Sequence, residues 1–159
     1  MKQFIYILFT LTILFTSCAE RVITISEEDL PEDRFYYAED IEPFTGICKI
    51  NYKNGALKEE FHFVDGILNG QATFYYNDST VKRTGSYNDG KLDGKWAYYN
   101  SEGKRIMEVH FDNGKMEGTF VSWYCTGVIK EKGIYTNNKR RGEWINYDEA
   151  GMITEQLYY

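Results

Sequence analysis

The chain has 159 residues, a length for one modest domain, and a formal net charge of -6. An acidic balance of this kind gives no footing for nucleic-acid binding. Aromatic residues make up 17%, chiefly 14 Tyr and 10 Phe, with 14 Gly and only 2 Pro; such a composition, without long Ala/Leu-rich stretches, favours strands and turns over helices.

At the N-terminus, Lys2 precedes an apolar-dominated run from Phe4 to Phe15, and small residues then lead to Cys18. That run is too short to span a bilayer but suits the hydrophobic region of an export signal. Phe15-Thr16-Ser17-Cys18 resembles a bacterial lipobox. The resemblance implies a lipoprotein signal peptide over 1–17 and lipidation of Cys18. Acyl chains would then hold the protein on the membrane with no spanning segment. Ala19 after the cysteine implies outer-membrane sorting, which places the expected product in the bacterial cell envelope.

Residues 18–43 read as an acidic tether with a capping strand. From 19 to 43 there are nine acids against two bases, and ISEEDLPEDR is a solvated stretch. Phe35-Tyr36-Tyr37 is expected to form a strand covering the edge of the first repeat, because a terminal repeat needs a cap.

From 44 to 159 the acids and bases balance at fifteen each, and the sequence repeats every 24 residues without insertion or deletion. Gly46, Gly70, Gly94, Gly118 and Gly142 fix the phase. Nine residues on stand Gly55, Ser79, Gly103, Gly127 and Gly151. Seventeen on stand Phe63, Tyr87, Phe111, Tyr135 and Tyr159. Asp65-Gly66, Asp89-Gly90, Asn113-Gly114 and Asn137-Asn138 follow, pairs suited to two-residue type I′ turns. The strands before them alternate, apolar at Leu57, Val81, Ile129 and Ile153 and polar at Lys58, Lys82 and Lys130. A fixed period of this size means stacked units that bury their faces against neighbours. The expected fold is all-β, a single-layer stack of about five β-hairpin repeats forming an extended antiparallel sheet. In this reading Gly-Lys-Leu-Asp-Gly (90–94) and Gly-Lys-Met-Glu-Gly (114–118) are the same link between hairpins, glycine at each end allowing a tight turn.

These columns resemble the MORN repeat in its bacterial variant form. The signature is Gly with Trp or Phe two residues on (Trp96, Phe120, Trp144), then an aromatic four residues before Gly, as in Tyr99 to Gly103, Trp123 to Gly127 and Tyr147 to Gly151. Glu42-Pro43-Phe44-Thr45-Gly46 also looks like the lead-in of bacterial proteins labelled YwqK-type antitoxins. The resemblance covers Phe44 to Tyr159 and implies membrane and partner association, with an antitoxin-like neutralising role as one version of it.

Little in the sequence carries chemistry. His62 and His110 fall at the same phase two units apart, ~19 Å at two strands per unit, so they cannot share a metal. Glu59-Glu60, Glu108 and Glu131 lie beside Lys58, Lys130 and Lys132 and read as cross-strand charge pairs rather than a glycosidase dyad. Lys139-Arg140-Arg141 reads as a solvated turn. Cys48 and Cys125 should stand ~29 Å apart, too far for a disulfide. The aromatic ladder Tyr75, Tyr99, Trp123 and Tyr147, with Trp96 and Trp144, is the candidate binding face. Three functions are consistent with this: a membrane-anchored scaffold binding a protein partner, a glycan or peptidoglycan module stacking sugars on the ladder, and an antitoxin-like partner. No enzyme, cofactor, metal or nucleic acid is expected.

Overall fold

Each Asp-Gly or Asn-Gly pair turns the chain with both residues in the left-handed region: Asp65 and Gly66 have φ of 49° and 76°, Asn113 and Gly114 of 50° and 82°. This is type I′ geometry, whose twist matches that of the strands it joins. Asn137-Asn138 adopts it without glycine, at φ 52° and 64°. A computed structural model describes residues 21–28 and 43–159, and within them these turns organise one sheet.

The strands are β1 (Val22–Ser26), β2 (Gly46–Asn51), β3 (Leu57–Val64), β4 (Ile67–Tyr75), β5 (Val81–Asn88), β6 (Lys91–Tyr99), β7 (Arg105–Asp112), β8 (Lys115–Trp123), β9 (Ile129–Thr136), β10 (Lys139–Tyr147) and β11 (Ile153–Tyr158). They lie side by side in chain order in a single sheet, antiparallel from β2 to β11. The described residues contain no helix. I′ turns close one end of each hairpin. Five-residue loops close the other, with Gly55, Gly103, Gly127 and Gly151 at positive φ and Ser79 in the same role at φ 69°. Asn100 shows why Asn or Asp sits in these loops: its Oδ1 accepts from the Glu102 and Lys104 amides at 3.0 and 2.9 Å.

Two expectations change. The link reading of Gly90 to Gly94 holds only at its first glycine. Gly90 ends a turn, whereas Gly94 lies inside β6 at φ 67°, where the register jumps from Ser86↔Asp93 to Thr84↔Ala97. Gly94 therefore marks a β-bulge, and its positive φ is what the bulge requires. The first edge is occupied by β1, which pairs in parallel with β2 (Ile23↔Cys48, Ile25↔Ile50). Residues 22–26 are thus a strand within the stretch read as a tether. Phe35–Tyr37, expected to cap this edge, lies outside the described residues, as does Cys18.

The core is one face of the sheet. Along its middle runs the row Cys48, Phe61, Ala72, Gly85, Trp96, Val109, Phe120, Gly133, Trp144 and Leu157, one residue from each of β2 to β11. Trp96 and Trp144 are each 1% exposed. Each indole lies flat on a glycine of the preceding strand: a Cβ on Gly85 would sit 2.3 Å from Trp96 Cδ2, and one on Gly133 would sit 2.2 Å from Trp144 Cδ2. The indole N–H groups donate to the Ser86 and Ile134 carbonyls at 3.1 Å. Tyr87 and Tyr135 then meet the indoles edge-on, with ring centroids at 5.4 and 5.0 Å. A single-layer sheet has no second layer to fill, so large rings folded over glycines build its dry interior.

Candidate functional site

Alternation along each strand separates this core face from an open face. Tyr75, Tyr99, Trp123 and Tyr147 fall on the open face and are half-buried. Arg105 lies over the Trp123 ring at 4.6 Å and Lys132 over Tyr147 at 5.5 Å. Ion pairs flank them: Lys49–Glu60 at 3.1 Å, Lys95–Glu108 at 3.6 Å and Arg105–Glu108 at 2.8 Å. Shallow grooves between them are lined by Gln71, Thr84, Lys95, Ala97 and Tyr99, and by Thr119, Val121, Lys132 and Ile145. The ladder is thus a mixed polar and apolar surface, with cations lying across two of its rings. Trp96 and Trp144 do not belong to it. Their rings are sealed in the core face, where no ligand can stack, and they are withdrawn from the candidate binding residues.

The histidines sit on the open face, each opposite a bulge. Three residues of β8, Glu117 to Thr119, stand against His110, whose Nδ1 is 2.9 Å from Thr119 Oγ1. His62 occupies the same place opposite Gly70, where an added Cβ would be 3.2 Å from the His62 Cβ. No cluster of potential metal ligands occurs among the described residues.

Glu60, Glu108 and Glu131 pair, but not with the lysines expected, and Glu59 makes no ion pair among the described residues. Lys58 reaches across to Glu27 beyond β1 at 2.7 Å. Arg140 pairs with Glu131 at 2.7 Å while lying 4.1 Å over Trp144, so it is packed rather than solvated. Cys48 in β2 and Cys125 in the turn after β8 are both free thiols. Burial pushes the Cys48 thiol pKa up, and the Glu59 charge adds to it.

Another tyrosine column escaped the sequence reading. Tyr52, Tyr76 and Tyr124 sit at the loop ends of the hairpins, and each hydroxyl donates to a carbonyl of the next unit: Tyr75 O at 2.7 Å, Tyr99 O at 2.9 Å and Tyr147 O at 2.8 Å. At the opposite edge the turn amides of Gly66, Gly90 and Gly114 donate to the Phe44, Leu68 and Leu92 carbonyls. Successive units are therefore stitched along the turn rim, and along the loop rim as well wherever this position is Tyr. The signal was available, since Tyr recurs at these positions with Asn or Asp in the other units.

Tyr52 and Tyr76 also wall a cleft on the core face over β3 to β7, with a volume of about 390 Å³. Tyr52, Tyr76, Tyr98 and Phe74 supply rings; Lys58, Glu59, Lys82 and Arg83 supply its charges. Arg83 lies flat on Phe74 at 3.8 Å.

The family model for the MORN repeat variant matches residues 44–65 and 68–89, two successive units of this sheet. The turns, bulges and rim bonds of those units continue to β11. Among curated proteins, none matches the chain.

Proposed function

With residues 44–89 established as MORN repeat variants, units that serve generally in protein and membrane interaction and are not enzymatic, we propose that this chain is a lipid-anchored scaffold of the bacterial cell envelope that docks a protein partner on its open face. The observation that supports protein over glycan is the ladder's setting. Arg105 and Lys132 already lie over two of its rings, ion pairs flank the column, and only Tyr75 and Tyr99 of the ladder stay without a cation across them. A mixed patch of this kind is what the core and rim of a protein interface need. An antitoxin-like role is a special case of the same docking, with the partner neutralised.

The docking face is tested with a photo-crosslinking amino acid placed singly at Tyr99 or Trp123 on the open face, and at Phe63 or Tyr135 on the core face, in intact cells. Adducts of one common mass from the two open-face positions alone are expected. Equal adducts from both faces, or none from the open face, would remove the proposal. The anchor rests on Lys2, the Phe4 to Phe15 run and Cys18. Cys18→Ser should move the protein out of the membrane fraction; retention there after a high-salt wash rules out lipidation as the anchor.

A further inference from the structure

The cleft over β3 to β7 holds a carboxylate that the fold does not use. Glu59 is 8% exposed, lines the cleft, and has no hydrogen-bond or ion-pair partner among the described residues. No side-chain oxygen among the described residues is both sealed from solvent and unpartnered, so the Glu59 carboxylate opens on the cleft and can accept from a ligand's donor. Glu131, at the same phase three hairpins on, shows the structural solution, since it is ion-paired to Arg140 at 2.7 Å. Asn146 stands beside Glu131 where Phe74 stands beside Glu59, and Ser122 where Ile50 does, so among the described residues the aromatic walls and the unpaired acid coincide over β3 to β7.

Lys58 is neutralised by Glu27, which leaves Lys82 and Arg83 against Glu59 and a local balance in favour of an anion. The Tyr52 and Tyr76 hydroxyls are engaged with backbone carbonyls, fixing these rings as walls. A ligand for this cleft carries a negative group for Arg83 and Lys82, a hydroxyl to donate to Glu59, and an apolar ring face for the tyrosines. We propose that the cleft binds an acidic saccharide, a hexuronate or related sugar acid, with its carboxylate at Arg83 and Lys82. The site is on the face opposite the proposed protein-docking surface and stands or falls independently of it.

The full chain, in a detergent without a sugar headgroup at physiological salt, is titrated with glucuronate, galacturonate, glucose and inorganic phosphate while tryptophan fluorescence is read. Arg83 lies 5.9 Å from the Trp96 ring, so occupancy should be visible there. A saturable response to a uronate is expected, with glucose weaker by about tenfold, as loss of one charge-assisted contact implies. Glu59→Gln and Lys82→Met should each weaken uronate binding by a similar factor, about tenfold. Lys82 is exposed, so its variant keeps the fold even if the Glu59 variant does not. No saturable response to either uronate, equal response to glucose, phosphate binding as tightly as uronate, or undiminished binding by the Lys82 variant would each overturn the proposal.

Discussion

Gly85→Ala should cost on the order of 3 kcal/mol, a large part of the 5–15 kcal/mol that holds a domain of this size together. The added Cβ would lie 2.3 Å from Cδ2, 2.4 Å from Cε2 and 2.5 Å from Cγ of the Trp96 indole. That ring cannot yield easily. Tyr87 stands edge-on to it, its N–H is bonded to the Ser86 carbonyl at 3.1 Å, and Arg83 lies on its outer side. Trp96→Ala should cost a similar amount, about 3–5 kcal/mol, for the opposite reason, a trench left over Gly85. The informative variant combines Gly85→Phe with Trp96→Ala. It recreates the pairing of Phe61 with Ala72, where the large residue stands on the earlier strand and the small one on the later (Phe61↔Ala72). Thermal melting should show the double variant more stable than Trp96→Ala alone and far more stable than Gly85→Phe alone. If the two losses simply add, the indole-on-glycine account of the core is wrong.

This pairing also shows where sequence reading stops. The turns were legible because Asp-Gly and Asn-Gly favour positive φ through local sterics, independent of what the strand touches. The period, and with it the single antiparallel sheet, came from the same residues. Trp96 and Trp144 were misplaced because a ring two residues after the phase glycine has the right parity for either face until the bulge at that glycine is known. What seals them is Gly85 and Gly133, eleven residues earlier on another strand. The clue was that Gly replaces Phe61, Val109 and Leu157 only in the two units followed by Trp. β1 was missed for a different reason. Val22 to Ile25 is a run of β-branched residues, as a strand favours, but its parallel pairing with β2 is a long-range contact that no local signal announces. The cleft was invisible because Glu59, Phe74, Arg83 and Tyr98 meet only through the cross-strand register.

Removing residues 94 to 117, one full period, should leave a folded sheet, whereas removing 94 to 105 should not. The longer deletion joins Asp93 to Gly118, keeps the bulge, and lets the turn before β6 run into the second half of β8. Because each unit meets only its neighbours, through the strand ladder, the turn amides and, before the deleted unit, the Tyr76 hydroxyl, stability should fall by about one unit's share, on the order of 1–3 kcal/mol. An extra loss should come from the junction, where Phe120 now lies over Gly85 in place of Trp96 and leaves part of the trench unfilled. Phe120→Trp in the shortened chain should recover that extra loss, since an indole again covers the glycine and can again donate to the Ser86 carbonyl. The shorter deletion removes a single strand and reverses the direction of everything after it, which sends core residues to the wrong partners. Circular dichroism and thermal melts of chains beginning at Ala19 decide the matter. The 94–117 deletion should melt cooperatively below the parent, with Phe120→Trp raising it part of the way back, and the 94–105 deletion should show no cooperative melt. Were both deletions to unfold equally, the sheet would be one indivisible cooperative unit rather than a stack, and the neighbour-only stitching would have to carry less of its stability than its hydrogen bonds suggest.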